Sequence, residues 1–149
     1  MKLIHLIIAS IFNKKIIKFF PHYNAIIVLY KIHKKKFSKY SFSSYGKYLL
    51  ENESNGLSWY LNRNRELIFY NYKKYFFTNL LEKEKINGLK FSYHNNIIKN
   101  KKYVIKVIKH YEKIWPKFKQ TPAHGDLTFD NLIFKKNDIF IIDWENFKN

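Results

Sequence analysis

Apolar and polar positions change period several times along this chain, and each change predicts an element. Ala25 to Ile32 (AIIVLYKI) is dense in β-branched and aromatic residues and predicts a strand. The basic stretch His33 to Lys36 predicts a turn. Phe37 to Phe42 (FSKYSF) then alternates apolar and polar residues, as a half-buried strand does. Ser43 and Ser44 are capping residues for a helix in which Leu50, Glu53, Leu57, Tyr60 and Leu61 share one face. Glu53 is the odd member, a carboxylate on an apolar stripe. Two further strands are expected at Leu67 to Tyr72 and Tyr75 to Leu80, and Leu81 to Gly88 (LEKEKING) reads as a connector.

A second helix is expected from about Asn100. Val104, Val107, Ile108, Tyr111 and Trp115 recur at three- and four-residue spacing, and Pro116 ends the run. Beyond Thr121, the apolar runs Leu132 to Phe134 and Ile139 to Ile142 flank Lys136, Asn137 and Asp138, which predicts a hairpin. The order of elements implies an α+β fold with two lobes: an N-terminal antiparallel sheet with one helix, then an incomplete C-terminal lobe. The expected boundaries are 1–82 and 83–149.

Composition narrows the reading. The chain has 149 residues, 46% hydrophobic and 19% aromatic, enough for a packed core. It has no Cys, which excludes disulfides and thiolate metal sites and suits a cytoplasmic protein. The formal net charge is +17, which invites a basic binding module for nucleic acid or an anionic surface. Nearly all of that charge is Lys, with only Arg63 and Arg65 as arginines. Base readout and bidentate phosphate clamping favour Arg. Lys, Asn, Ile, Phe and Tyr share A/T-rich codons, so codon bias accounts for the charge and no specific nucleic-acid partner is expected. Leu3 to Phe12 (LIHLIIASIF) is an apolar run too short to span a bilayer, which takes about 20 residues. With Lys14, Lys15 and Lys18 it suggests weak contact with a membrane surface.

The tail carries the chemistry. It reads His124-Gly125-Asp126-Leu127-Thr128-Phe129-Asp130-Asn131, then Ile141-Ile142-Asp143-Trp144-Glu145. The hairpin centre at Asn137 places Asn131 opposite Asp143. An amide oxygen and a carboxylate together make a hard, oxygen-only cation site of the kind Mg²⁺ takes alongside phosphate. Asp126, one loop earlier, is placed to accept a proton from a hydroxyl. These are the parts that phosphoryl transfer uses.

The same residues resemble a known family. His-Gly-Asp, four residues, Asn, and then a hydrophobic strand ending in Asp is similar to the aminoglycoside phosphotransferase and choline kinase superfamily, which has a protein-kinase-like fold. The resemblance implies that Asp126 is the catalytic base, that Asn131 and Asp143 hold Mg²⁺, and that His124 braces the loop. Asp130 reads as a solvated loop residue and Glu145 as a supporting contact to metal or substrate. Glu53-Ser54-Asn55-Gly56-Leu57-Ser58-Trp59 resembles the family's helix, whose Glu pairs with a strand Lys that contacts ATP phosphates. Lys39 is the natural partner and Lys31 the alternative. Adenine is then expected near Leu80 to Glu82.

Two features depart from the family. No Gly precedes Gly46, so there is no glycine-rich phosphate loop, and the chain ends four residues after Glu145. Relatives continue into a helical subdomain that builds much of the acceptor site. The expected function is an ATP-dependent phosphotransferase acting on a small-molecule hydroxyl: a sugar, an amino alcohol or an aminoglycoside-like compound. The alternative is a catalytically incomplete nucleotide-binding chain, prone to self-association through the incomplete lobe.

Overall fold

A computed structural model of the chain describes residues 28–33, 36–64, 69–90, 101–115, 122–135 and 138–148, with backbone alone for 28–33, 89 and 90. The apolar run Leu3 to Phe12, its neighbouring lysines, Arg65 and Pro116 lie outside the described residues. So does the start of the first expected strand.

Elements follow in the order β1 (Val28–His33), β2 (Lys36–Ser41), α1 (Ser44–Arg63), β3 (Tyr70–Lys74), β4 (Asn79–Glu84), β5 (Leu89–Lys90), α2 (Lys101–Ile114), a 3₁₀ turn (Phe129–Asn131), β6 (Leu132–Lys135) and β7 (Asp138–Ile141). Two antiparallel sheets result, one ordered β1-β2-β4-β3 and one ordered β5-β6-β7. The chain divides into two compact units. One contains β1 to β4 and α1 as far as Ser54; the other contains α1 from Asn55 and everything from Ile86 onward.

In the first unit, Ser43 caps α1 by accepting the Gly46 N–H at 3.0 Å. Leu50 of α1 and Leu80 and Leu81 of β4 are buried. The β3–β4 hairpin departs from the expected pattern. Tyr75 to Thr78 form the turn and not a strand, and Leu81 to Glu84 continue β4 where a connector was expected. Leu80 to Glu82 therefore lie inside the sheet, so the connector expected to face adenine is not there. Aromatic residues favour strands only where a neighbour covers them. Here the covered positions are Leu80 and Leu81, and the charged end of β4 is held by its pairing with Lys36 to Ser38 on β2.

In the second unit, β6 and β7 are buried on both faces, which is why their sequences are continuous apolar runs and not alternating ones. Trp144 is fully buried, with the rings of His124, Tyr60, Trp59, Phe147 and Trp115 at 4.4, 5.2, 5.9, 6.0 and 6.1 Å between centroids. Such pairs add to the roughly 1.5–3 kcal/mol each large side chain gains from burial. Gly56 lets α1 approach this cluster; a Cβ there would stand 2.7 Å from Trp144 Cβ. Tyr60 links three elements. Its hydroxyl donates to the Ile139 carbonyl at 3.1 Å and accepts from Asn64 Nδ2 at 2.9 Å and the Ile141 N–H at 3.3 Å, with His110 Nε2 of α2 3.1 Å away. On α2, Val107 and Ile114 are buried, whereas Ile108, expected on that face, is half exposed beside Ile105. No described helix is long and apolar enough to cross a membrane.

Candidate active site

The first unit holds a buried ion cluster. Along β2, Lys39 falls at an inward position and is only 4% exposed; Glu53 of α1 is fully buried. Lys39 Nζ lies 2.7 Å from Glu53 Oε2. Lys83 of β4 meets the other carboxylate oxygen, Oε1. The register explains the convergence. Lys39 stands opposite Leu81, and Lys83 follows Leu81 by two residues, so both lysines share the sheet face. A buried carboxylate requires such compensation, since an isolated one costs several kcal/mol. Tyr30, not Lys31, registers with Lys39, and Lys31 registers with Ser38.

Lys83 was not singled out from sequence. The signal available was its two-residue spacing from Leu81 in a strand otherwise read as a connector. Among so many lysines, that spacing alone does not stand out.

The second unit holds a loop closed by hydrogen bonds. His124 is buried, and its Nε2 donates to the Ile142 carbonyl at 2.9 Å. Its Nδ1 then accepts the Asp126 N–H at 3.4 Å. Both contacts suit a neutral imidazole, and burial pushes the His124 pKa below its ordinary value, against the smaller raising effect of the bond to Ile142. Gly125, at φ +83°, makes the turn between them; a Cβ there would stand 2.0 Å from the Asn146 carbonyl oxygen. Thr128 N–H donates to the Asp126 carbonyl at 3.0 Å, and Asn131 N–H to the Thr128 carbonyl at 3.1 Å. The Ala123–Lys148 bridge closes the segment behind the loop.

Asn131 is buried, and its side chain faces back into the same loop. Nδ2 donates to the Asp126 carbonyl at 2.7 Å and lies 3.3 Å from Asp126 Oδ2. With the NH₂ end committed, Oδ1 is the amide's acceptor atom. Asp126 itself is exposed. Asp130 is exposed; Glu145 is half-buried in the turn that follows Trp144.

The hairpin register differs by one residue from the expected one. Leu132 pairs with Ile141 and Lys135 with Asp138, so the centre falls between 136 and 137. Asn131 therefore faces Ile142, whose N–H donates to the Asn131 carbonyl at 2.9 Å. Asp143 comes one residue later, at φ +66°. That left-handed conformation is uncommon for a residue other than Gly and is best tolerated by Asp and Asn. It ends strand geometry immediately after the paired residues, so simple strand counting does not extend to Asp143. Trp144, also missed as an anchor, follows directly; its indole N–H donates to the Ile141 carbonyl at 3.0 Å.

Asn131 Oδ1 and the Asp143 carboxylate are hard oxygen donors of the kind that could hold Mg²⁺. No nitrogen or sulfur ligand is required, and His124 has both ring nitrogens engaged by the backbone.

No family model matches the chain, and no curated protein does. Among solved structures it is similar to WbdD in complex with the kinase inhibitor LY294002, with TM-score 0.58 and 14% identity over 81% of this chain and 31% of that chain. A structure of the bifunctional kinase-methyltransferase WbdD matches with TM-score 0.49 and 13% identity, over 81% of this chain and 30% of that one. The first likeness shows a kinase-like fold, and the chain spans less than a third of the length of the protein it matches.

Proposed function

We propose that the chain is an ATP-dependent phosphotransferase acting on a small-molecule hydroxyl, within the aminoglycoside phosphotransferase and choline kinase superfamily. The observation that carries this reading is the closed hydrogen-bonded ring His124–Asp126–Asn131–Ile142. It holds an exposed carboxylate beside an amide with a committed orientation, on a chain that reaches Asp143 one residue later. The kinase-like fold supports the same reading.

Asp126 orients the acceptor hydroxyl and receives its proton as the oxygen attacks the γ-phosphorus, whose bond to the β–γ bridging oxygen breaks to release ADP. Its anchored main chain fixes that position before substrate arrives. Asn131 and Asp143 hold Mg²⁺, which when bound neutralises charge on the nucleotide phosphates. Lys39 contacts those phosphates, and Glu53 keeps its ammonium in place. His124, engaged at both nitrogens, positions the loop and takes no proton. The acceptor is a sugar, an amino alcohol or an aminoglycoside-like compound.

A second reading has an observation of its own. Ile105 and Ile108 leave an apolar strip open on α2, 41% and 50% exposed. It fits a chain that binds nucleotide but turns over only when further protein, such as a second copy, covers that helix.

Transfer of γ-phosphate from ATP to hexoses, choline, ethanolamine and aminoglycosides tests the proposal. Asp126→Asn is expected to lower turnover by roughly 10²–10⁴-fold while nucleotide affinity stays unchanged. Undiminished turnover in Asp126→Asn would refute the role. ATP binding without transfer to any acceptor would favour the second reading.

A further inference from the structure

The turn between β3 and β4 carries aromatic rings where hairpin turns ordinarily carry Gly, Asn or Asp. Phe76 is 89% exposed and Phe77 74%, with Tyr75 about half exposed beside them. The two Phe rings pack edge to face on each other, 4.7 Å between centroids, and both remain in solvent. These are the two most exposed large hydrophobic side chains among the described residues, and they do not come from a loose segment. Tyr75 N–H donates to the Thr78 carbonyl at 2.8 Å, closing the turn, and Thr78 Oγ1 donates to the Ser41 carbonyl at 2.8 Å. Lys47 Nζ of α1 donates to the Phe76 carbonyl at 3.4 Å, and Lys74 pairs with Glu51 at 2.6 Å. The tip is therefore presented on a braced hairpin.

The hairpin's own charge is basic, although Lys74 is paired with Glu51 of α1. Lys73 and Lys74 precede the rings and are exposed, and no acidic residue occurs from Tyr70 to Asn79. Tyr45 and Tyr48, on the first turns of the helix that supplies Lys47, are also more than half exposed. Apolar rings at a tip with ammonium groups at its base follow the order in which a bilayer changes from acyl chain to headgroup. A convex wedge of two rings does not offer the flat or concave area of a protein interface, roughly 800 Å² per partner. A fluid surface closes around it without a preformed pocket.

We propose that the β3–β4 turn is a membrane-docking tip that inserts Phe76 and Phe77 below the headgroups of an anionic bilayer, with Lys73 on the lipid phosphates and carboxylates. The chain-wide charge of +17 would draw any anionic vesicle, so the test separates insertion from attraction. The full chain is mixed with phosphatidylcholine vesicles with and without phosphatidylserine.

In a Phe76→Trp variant, tryptophan emission is expected to shift to the blue in the anionic vesicles. It is also expected to be quenched by lipid brominated on the acyl chain, beyond any change in the wild type. Phe76→Ser/Phe77→Ser, whose melting should match wild type because both rings are exposed, is expected to lose at least about tenfold in vesicle affinity. Equal affinity of the double Ser variant would mean that charge alone binds, and the proposal fails. It fails equally if the F76W signal is untouched by brominated lipid. It also fails if the rings instead drive association of the chain with itself, seen as a mass increase without lipid that the double Ser variant abolishes.

Discussion

Helix α1 is held in two ways along its length. Up to Ser54 its partners are ionic: Glu51 to Lys74, and Glu53 to Lys39 and Lys83. From Asn55 its partners are rings: Trp59 lies 5.4 Å from Trp115 and 6.0 Å from Phe147, and Tyr60 is buried against Trp144. A buried ion pair contributes little net stability compared with well-packed apolar residues, because desolvation offsets the attraction. Packed rings contribute burial directly. The aromatic half thus stabilises its unit through burial, and the ionic half adds little net stability for the charge it buries.

The largest effect should come from the aromatic half. Trp144→Ala removes the ring at the centre of the cluster and the indole bond to Ile141, and is expected to cost about 4–5 kcal/mol. Chemical denaturation followed by circular dichroism measures it, and a loss under about 2 kcal/mol would mean that the cluster repacks. Next is Glu53→Ala, expected to cost about 3 kcal/mol because Lys39 loses its buried counter-charge. The comparison sharpens with the triple variant Lys39→Met/Glu53→Leu/Lys83→Met. It should recover most of that stability, as apolar replacements of buried ion groups do, yet bind ATP no better than Glu53→Ala. A triple variant that keeps ATP binding would show that the ionic half is structural only.

The smallest effect is a pH dependence in the aromatic half. Burial, with Lys113 nearby, pushes the His110 pKa down to about 4, and His124 is lowered as well. The unfolded chain takes up these protons near the ordinary value of about 6.5. Stability is therefore fully present above pH 6.5 and falls as the pH drops toward 4, because the unfolded state binds protons first. After allowance for the partial exposure of His110, a loss of about 1 kcal/mol is expected across that window. All three tryptophans, Trp59, Trp115 and Trp144, belong to the second unit. Tryptophan emission during melts between pH 7 and pH 4.5 therefore reads that unit alone. A melting point unchanged by pH would remove both histidines from the account.

Much of this was legible in the sequence, and the remainder shows why it was not. Of the stripe Leu50, Glu53, Leu57, Tyr60 and Leu61, the first four are buried as the spacing implies and Leu61 is half-buried, and Ser43 caps the helix. Glu53 stood out because a carboxylate on an apolar face needs a cation, and Lys39 lay in a strand short enough to supply one. The second expected strand failed because Tyr75, Phe76 and Phe77 have strand-forming side chains but no neighbour to cover them. Lys83 was hidden by a charged strand end that looks like a loop. The step from Asn131 to Asp143 was missed by one residue, since counting across a hairpin assumes strand geometry that the positive φ at Asp143 ends. Trp144 appeared as part of a motif, and its role as the ring that five others surround required the fold.

The proposed site of Asn131 and Asp143 takes its metal together with a nucleotide. ATP binding measured by calorimetry with and without Mg²⁺, on wild type and Asp143→Ala, tests it most directly. The account predicts that Mg²⁺ strengthens wild-type binding at least about tenfold, and that Asp143→Ala, still folded, binds equally weakly with and without the ion. Binding by Asp143→Ala that Mg²⁺ strengthens as much as it does wild type would contradict it.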